Sequence, residues 1–225
     1  MNIQNVFNDF CKELTNRQEF LSEDNVRFYW FASMLKQDST LNNFSLEEPY
    51  WNTTINKDRK ELDLLYCDGH EYFCFEIKFH RHPSTNPNNS FAHTGAAGEI
   101  FNDLLRIPLW QPNSQQKLPI RRFFLYVTDN EMYNYLTNKS NRNNQPNKGY
   151  RDELKKFYTI PNSSSKIDFR GIGVPKTFKE TALSALPSNL PITIPQIKCV
   201  GSAKLSMKNN CLQGNTDCYV KLYEL

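Results

Sequence analysis

Two alternating runs joined by a turn signal constrain the fold of this chain more than any other feature. Residues 60–67 and 72–79 alternate apolar and polar side chains with a period of two, and Asp68-Gly69 lies between them. We therefore predict an antiparallel β-hairpin. With a loop of two or four residues, paired positions add up to an odd number, so odd positions of one strand share a face with even positions of the other.

The predicted pairing separates an apolar face from a charged face. Asp63, Glu76 and Lys78 lie on the charged face, with Asp63 opposite or diagonal to the other two. Two converging carboxylates repel each other unless a cation neutralises them, and hard oxygen ligands suit Mg²⁺, which keeps several waters and binds substrate phosphates. A neighbouring lysine can orient a water and stabilise charge on a phosphoryl group. The charged face is therefore suited to phosphodiester hydrolysis.

The same pattern also describes the solvated face of an amphipathic hairpin, with Lys78 in ordinary cross-strand ion pairs. Two features favour a partly covered site instead. Leu65, Cys67 and Cys74 share the charged face, and the small residues 95–98 that begin the next helix would allow a close approach.

Other polar residues near the hairpin are interpreted as structural. Glu99 and Asp103 stand one turn apart on the following helix, where solvated surface is the simpler interpretation. We expect the segment 80–82, with sequence His-Arg-His, to be exposed at the entry of a loop. Lone cysteines in strands are usually core residues rather than zinc ligands, which is our interpretation of Cys199, Cys211 and Cys218.

Helical and strand periodicities continue on both sides of the hairpin. They predict helices over 3–14 and 22–37, a helix that ends at Pro108, a buried strand at 123–127, short helices at 130–137, 151–158 and 177–186, and strands at 192–206 and 217–225. This order indicates an α/β (α+β) fold with a mixed central sheet flanked by helices. Without internal repeats or a linker, residues 1–225 are expected to form one domain.

The charge of the chain is unevenly distributed. Residues 1–75 carry 7 Lys and Arg against 13 Asp and Glu, whereas residues 139–179 carry 10 basic and 3 acidic side chains. Five aromatic residues interleave with the basic ones: Tyr150, Phe157, Tyr158, Phe169 and Phe178. That composition is typical of a surface that follows a phosphate backbone, although a solvated basic face has the same charge. We predict that nucleic-acid contacts involve Lys148, Arg151, Lys155 and Lys156.

Several classes of protein are disfavoured. The longest apolar stretch, residues 28–35, is too short for a membrane helix, and residues 1–10 carry no basic region before an apolar run. We therefore expect a cytoplasmic protein. Six cysteines without a CxxC pair indicate free thiols in a reducing compartment. The sequence contains no Walker loop, nucleophile elbow or HNH arrangement.

The hairpin sequence KELDLLYCDGHEYFCFEIKF resembles the D…(D/E)xK motif of the PD-(D/E)XK nuclease superfamily. Twelve residues separate Asp63 from Glu76-Ile77-Lys78, and Leu62 stands at the position of the proline in the superfamily name. The order helix, hairpin, helix, strand is also similar to the restriction-endonuclease-like αβββαβ core. The resemblance covers about residues 20–137, which leaves residues 138–225 as a basic C-terminal elaboration.

The resemblance implies a role for each matching residue. Asp63 and Glu76 would bind Mg²⁺, for which Mn²⁺ could substitute, with the backbone carbonyl of Ile77 as a third ligand. Lys78 would position the attacking water. Many members add a glutamate from the first core helix, for which Glu23 is the candidate; complementing the helix dipole is the alternative role for this residue.

These observations predict a Mg²⁺-dependent endonuclease that acts on DNA, in restriction or phage defence. Double-strand cleavage by such a site needs two copies, so we expect a homodimer. Two alternatives stay open: an inactive nucleic-acid-binding or interaction protein, which would show salt-sensitive binding without a cleaved product, and a nuclease directed at RNA.

Overall fold

The computed structural model describes most of the chain: residues 1–17, 21–50, 61–81, 93–113, 117–137, 147–160, 164–184, 186, 192–208 and 217–225. The predicted loop at 83–89, most of the Asn-rich segment 138–149 and Cys211 lie outside the described residues. The other five cysteines are free thiols, as predicted, and Cys199 and Cys218 are buried core residues.

A mixed sheet with helices on both faces forms in the described residues, which confirms the predicted α/β class. The helices are α1 (Ile3–Asn16), α2 (Glu23–Leu35), α3 (His93–Arg106), α4 (Asn130–Thr137), α5 (Lys148–Thr159) and α6 (Lys176–Ala182). The strands are β1 (Phe44–Pro49), β2 (Glu61–Cys67), β3 (Tyr72–His80), β4 (Ile120–Asp129), β5 (Ser164–Asp168), β6 (Thr193–Ser206) and β7 (Asp217–Glu224). None of the described helices is both long and apolar enough to cross a membrane.

The hairpin forms with the predicted register. Leu64 pairs with Phe75, and Cys67 pairs with Tyr72, so the paired positions add up to an odd number across a four-residue turn. Gly69 adopts a positive φ of 84° in that turn, which glycine does without steric cost. The backbone pairing ends at Leu64 and Phe75. Beyond this point β2 and β3 separate.

The strand order of the sheet is β1-β2-β3-β4-β7-β6-β5. β3 and β4 are parallel and are connected through α3, whereas the other neighbouring pairs are antiparallel. From Phe123 to Val127, β4 is fully buried, as its unbroken apolar sequence predicts. The middle of the sheet therefore has helices on both sides.

The two largest apolar cores lie on opposite faces of the sheet and hold the layers together. The first lies between the sheet and α1 and α2, where Trp30 packs edge-on against Phe10 and Phe75. The second joins α3, α5 and α6 to the opposite face through Phe101 and its aromatic neighbours. The Ser22 side chain accepts a hydrogen bond from the backbone of Asn25, which fixes the start of α2.

The aromatic residues of 139–179 belong to the second core, so their interpretation as part of a nucleic-acid surface is wrong. All five are buried: Tyr150, Phe157, Tyr158, Phe169 and Phe178. Alternation of basic and aromatic residues describes an amphipathic helix as well as a stacking surface, and here the apolar side faces the protein.

The periodicities predict neither β1 nor β5, although the αβββαβ order that the resemblance implies includes one strand more than the hairpin before the next helix. Both are short edge strands of the sheet, of six and five residues. An edge strand buries fewer side chains than a central one, so its sequence alternates less clearly.

Candidate active site

The charged face of the hairpin opens into a cleft of about 500 Å³. Residues of α2, β1, β2, β3 and α3 and the end of α6 line it: Arg27, Glu47, Glu61, Asp63, Glu76, Ile77, Lys78, Glu99, Asn102, Asp103, Arg106, Thr181 and Ser184. Six of these side chains are carboxylates and three are cations. The structure thus brings Asp63, Glu76 and Lys78 together, as the register predicts.

The separation of the two hairpin strands positions the first carboxylates. Asp63 Oδ2 accepts a hydrogen bond from the backbone N–H of Ile77 at 2.6 Å. Two residues further along β3, the backbone N–H of Phe79 donates to Glu23 Oε2 at 3.2 Å. Two carboxylates therefore satisfy N–H groups of β3 where β2 no longer pairs with it. Glu23 thus lies at the site and not only at a helix terminus.

Asp63 is held on its other side by an arginine. Its Oδ1 lies 2.7 Å from Arg27 Nη2, which also donates to Glu23 Oε1 at 3.1 Å. Burial raises the pKa of Asp63 to about 6, while Arg27 and the Ile77 N–H act in the opposite direction. Proton binding at Asp63 therefore extends to a higher pH than for an ordinary aspartate.

Glu76 is almost completely buried, with 1% of its surface exposed. Both of its described donors reach the same oxygen: Oε1 accepts from the Tyr50 hydroxyl at 2.6 Å and from Arg106 Nη2 at 2.8 Å. Burial raises the pKa of Glu76 well above its usual value, and Arg106 partly offsets this. Arg106 Nη2 also lies 3.0 Å from Asp103 Oδ1, so one guanidinium serves two buried carboxylates.

Lys78 extends from β3 toward α2 and α3. Its Nζ lies 3.5 Å from Glu23 Oε2 and 3.7 Å from Glu99 Oε2. Burial lowers the pKa of Lys78, but Asp103, Glu23 and Glu99 outweigh it, so the pKa lies above its usual value. The side chain is therefore an ammonium at neutral pH.

His80 and Asp103 differ from the expectations for them. His80 is buried rather than exposed: its Nε2 lies 3.1 Å from Glu99 Oε2 and its Nδ1 3.3 Å from the Tyr126 hydroxyl. Asp103 is buried beside Arg106 rather than solvated. Asp103 is buried because this side of α3 faces the cleft, whereas Glu99 one turn earlier is exposed, as predicted, and pairs with His80 of β3.

The small residues of α3 allow a close approach, but the partner is α6. A Cβ added at Gly98 would lie 2.6 Å from Thr181 Cβ and 2.9 Å from the Phe178 carbonyl oxygen. Asn102 Nδ2 donates to the Ala182 carbonyl at 3.0 Å on the same side. These contacts bring the end of α6 to the wall of the cleft.

The four basic residues predicted to contact nucleic acid all lie on α5, away from the cleft lining. Lys148, Lys155 and Lys156 are exposed. Arg151 is half-buried, with its guanidinium carbon 4.0 Å from the centre of the Tyr135 ring. The structure does not bring this group together with the charged hairpin.

Arg27, Arg106 and Tyr50 hold the carboxylates, although the sequence predictions omit all three. Arg27 follows Glu23 by four residues and Arg106 follows Asp103 by three, spacings that place each pair on one helix face. That signal was available in the sequence. No comparable signal marks Tyr50, which reaches Glu76 from the end of β1.

Within the described part of the chain, no three His, Cys, Asp or Glu side chains are arranged as a group that could hold a metal ion. A Mg²⁺ site needs only one or two carboxylates when waters and substrate phosphates supply the other ligands. Comparison with protein-family models, with curated proteins and with solved structures found no match.

Proposed function

We propose that this protein is a Mg²⁺-dependent endonuclease that hydrolyses phosphodiester bonds in DNA, in restriction or phage defence. The observation that carries the proposal is the convergence of Asp63, Glu76 and Lys78 in one cleft, where β2 and β3 separate. The order of elements from α2 to β4 is also similar to the αβββαβ core of the PD-(D/E)XK nucleases.

The chemistry of the cleft fits a divalent cation. Among the described residues that line it, six are carboxylates and three are cations, and burial raises the pKa of both Asp63 and Glu76. A cation that bound these two side chains would relieve that unfavourable burial of charge. Mg²⁺, or Mn²⁺ in its place, would be held by Asp63, Glu76 and the backbone carbonyl of Ile77. When bound, the ion would acidify a coordinated water and neutralise charge that develops on the phosphate.

Lys78 acts as a fixed cation in this proposal rather than as a general base. Its raised pKa keeps it protonated, and Glu23 and Glu99 hold it between α2 and α3. A protonated amine can donate hydrogen bonds to the attacking water and to a phosphate oxygen, which orients the water and stabilises the charge of the transition state.

A direct test compares cleavage of plasmid DNA and of a structured RNA in Mg²⁺, Mn²⁺ or EDTA. We expect discrete DNA fragments that require the metal, and rates at least about a hundredfold lower for Asp63→Asn, Glu76→Gln and Lys78→Met. Lys36→Met is a matched control, because Lys36 forms an ion pair with Glu13 at 2.7 Å outside the cleft. Unchanged activity in the three variants would refute the assigned site, and RNA degradation alone would replace DNA as the substrate.

One observation favours the second candidate, an inactive nucleic-acid-binding or interaction protein. Arg27 and Arg106 already neutralise Asp63 and Glu76, so the cleft carries charge compensation of its own. That function predicts salt-dependent DNA binding without cleavage in any divalent metal. The same experiment therefore decides between the two functions.

A further inference from the structure

Arg27 of α2 connects two carboxylates at one side of the cleft, Glu23 of the same helix and Asp63 of β2. Its Nη2 lies 2.7 Å from Asp63 Oδ1 and 3.1 Å from Glu23 Oε1. About 34% of the side chain is exposed, against 9% for Arg106. Arg27 can therefore change position with less loss of packing than Arg106.

Asp63 and Glu76 differ in what a bound cation would have to displace. Both described donors to Glu76 use Oε1, and no described residue forms a hydrogen bond with its Oε2. Asp63 has no such oxygen, because Oδ2 accepts from Ile77 and Oδ1 faces Arg27. A cation that binds Asp63 through Oδ1 therefore competes with Arg27 for that oxygen, whereas Arg106 can stay on Glu76.

Glu23 is the second carboxylate that holds Arg27. It lies four residues before Arg27 on α2 and binds the same Nη2, so it keeps the guanidinium at the cleft. The buried Arg27 Nε has no hydrogen-bond partner among the described residues. The released guanidinium thus has several N–H donors for a new acceptor, in the planar arrangement that matches a phosphate.

We propose that Arg27 is an exchangeable counter-ion, which holds Asp63 in the metal-free protein and binds the substrate phosphodiester once a divalent cation has taken Asp63. This inference rests on the proposed nuclease function and adds a substrate-binding residue to it. Because one cation replaces another, the charge of Asp63 stays compensated at each stage. The released Arg27 then adds its positive charge to that of the divalent cation at the phosphate.

The exchange predicts effects of opposite sign for one substitution. Arg27→Gln removes a cation that competes for Asp63, so Mn²⁺ binding should tighten by about threefold to tenfold. The same variant lacks a phosphate contact, so DNA binding at saturating Mn²⁺ should weaken, with a salt slope shallower by about one. If Arg27 had only a structural role, its replacement would not tighten Mn²⁺ binding and weaken DNA binding at the same time.

The experiment measures Mn²⁺ binding by calorimetry and duplex DNA binding by fluorescence anisotropy on the full chain. All proteins used for the DNA measurements also carry Lys78→Met, so that the duplex is not cleaved. Arg121→Gln is the matched control: Arg121 pairs with Glu224 at 2.7 Å, has 35% of its side chain exposed and lies outside the cleft lining. We expect the control to leave both affinities within about twofold of the parent protein.

A second variant keeps the inference testable if Arg27→Gln does not fold. Arg27→Lys retains a competing cation but loses the planar donor arrangement, so Mn²⁺ affinity should stay unchanged while DNA affinity falls. If both Arg27 variants match the control while the parent protein binds Mn²⁺ through Asp63 and cleaves DNA, the exchange is refuted and the nuclease function stands. If Asp63→Ala binds Mn²⁺ as well as the parent does, or if the parent binds none, both proposals fail.

Discussion

The Asp63 carboxylate accepts a hydrogen bond from the backbone N–H of Ile77 at 2.6 Å, immediately beyond Leu64 and Phe75, the last backbone pair of β2 and β3. A side chain here takes the place of a strand-to-strand hydrogen bond. Asp63 therefore has a structural role in addition to the chemical one proposed for it, and the two roles respond differently to substitution.

The first prediction separates these two roles. Asp63→Ala leaves the Ile77 N–H and Arg27 without their acceptor, so we expect a loss of about 1–3 kcal/mol in the free energy of unfolding. Asp63→Asn retains an oxygen that can accept from Ile77, so its loss should be smaller. Urea denaturation in EDTA measures both. Equal stability of the two variants would show that the hydrogen bond to Ile77 contributes little.

The second prediction concerns pH. Burial raises the pKa of Asp63 from 3.8 to about 6, so between these values the folded protein holds a proton that the unfolded chain releases. Stability should therefore fall as pH rises from about 4 to about 6, by up to roughly 3 kcal/mol, and this contribution should stay lost at higher pH.

Asp63→Asn provides the reference for that pH dependence, because it lacks the titrating group but keeps the neighbouring carboxylates. The difference in unfolding free energy between the natural protein and the variant should change across pH 4–6 in EDTA. A constant difference over this interval would contradict the raised pKa. The cleavage rate should also increase up to about pH 6, since a metal ligand must be deprotonated.

The third prediction concerns the buried partner of Arg106. Glu76→Ala removes the acceptor for Arg106 and Tyr50 and leaves a buried guanidinium partly unpaired, which should cost about 3–5 kcal/mol. Glu76→Gln keeps an oxygen at this position and should lose less. Thermal unfolding of both variants is the measurement. If Glu76→Ala were as stable as Glu76→Gln, the pair with Arg106 would not support the fold.

The elements of the site that the sequence predicts are those set by local geometry. Strand parity and the length of one turn place Asp63, Glu76 and Lys78 on a common face without knowledge of the rest of the fold. The positions of Asp103 and His80 depend instead on how α3 covers the hairpin. A polar helix side normally faces water, and only the tertiary packing shows that Asp103 on this helix is buried at a cleft.

In the basic C-terminal region, too, tertiary packing decides which side chains are exposed. The charges of this region could be counted in the sequence, but the direction of each aromatic side chain depends on the second core, which forms between distant segments. Phe101 of α3 contacts Phe157, Phe169 and Phe178. The sequence therefore predicted a helix at 151–158 correctly, whereas the interpretation of the aromatic residues as part of a surface was wrong.

The fourth prediction tests the contact that brings α6 to the cleft. Gly→Ala in a helix usually stabilises a protein, but an added Cβ at Gly98 would meet Thr181 Cβ at 2.6 Å and the Phe178 carbonyl. We expect Gly98→Ala to lower stability by about 1–3 kcal/mol through overpacking. Thr181→Gly should recover part of this loss in the double variant, as measured by urea denaturation. Two independent, additive losses would contradict direct packing between these residues.

The fifth prediction concerns α5, where three lysines are exposed and lie outside the cleft lining. Replacing Lys148, Lys155 and Lys156 with glutamine should weaken duplex binding and make the salt dependence shallower, by about 0.9 for each lost phosphate contact. Stability should change little, because surface charges contribute little to folding. Lys12→Gln is the control, because Lys12 is an exposed residue of α1 in the acidic third of the chain. Arg151 is left unchanged because its contact with Tyr135 would confound the comparison. An unchanged salt slope in the triple variant would exclude α5 from the DNA-binding surface, since each phosphate contact must release counter-ions when it forms.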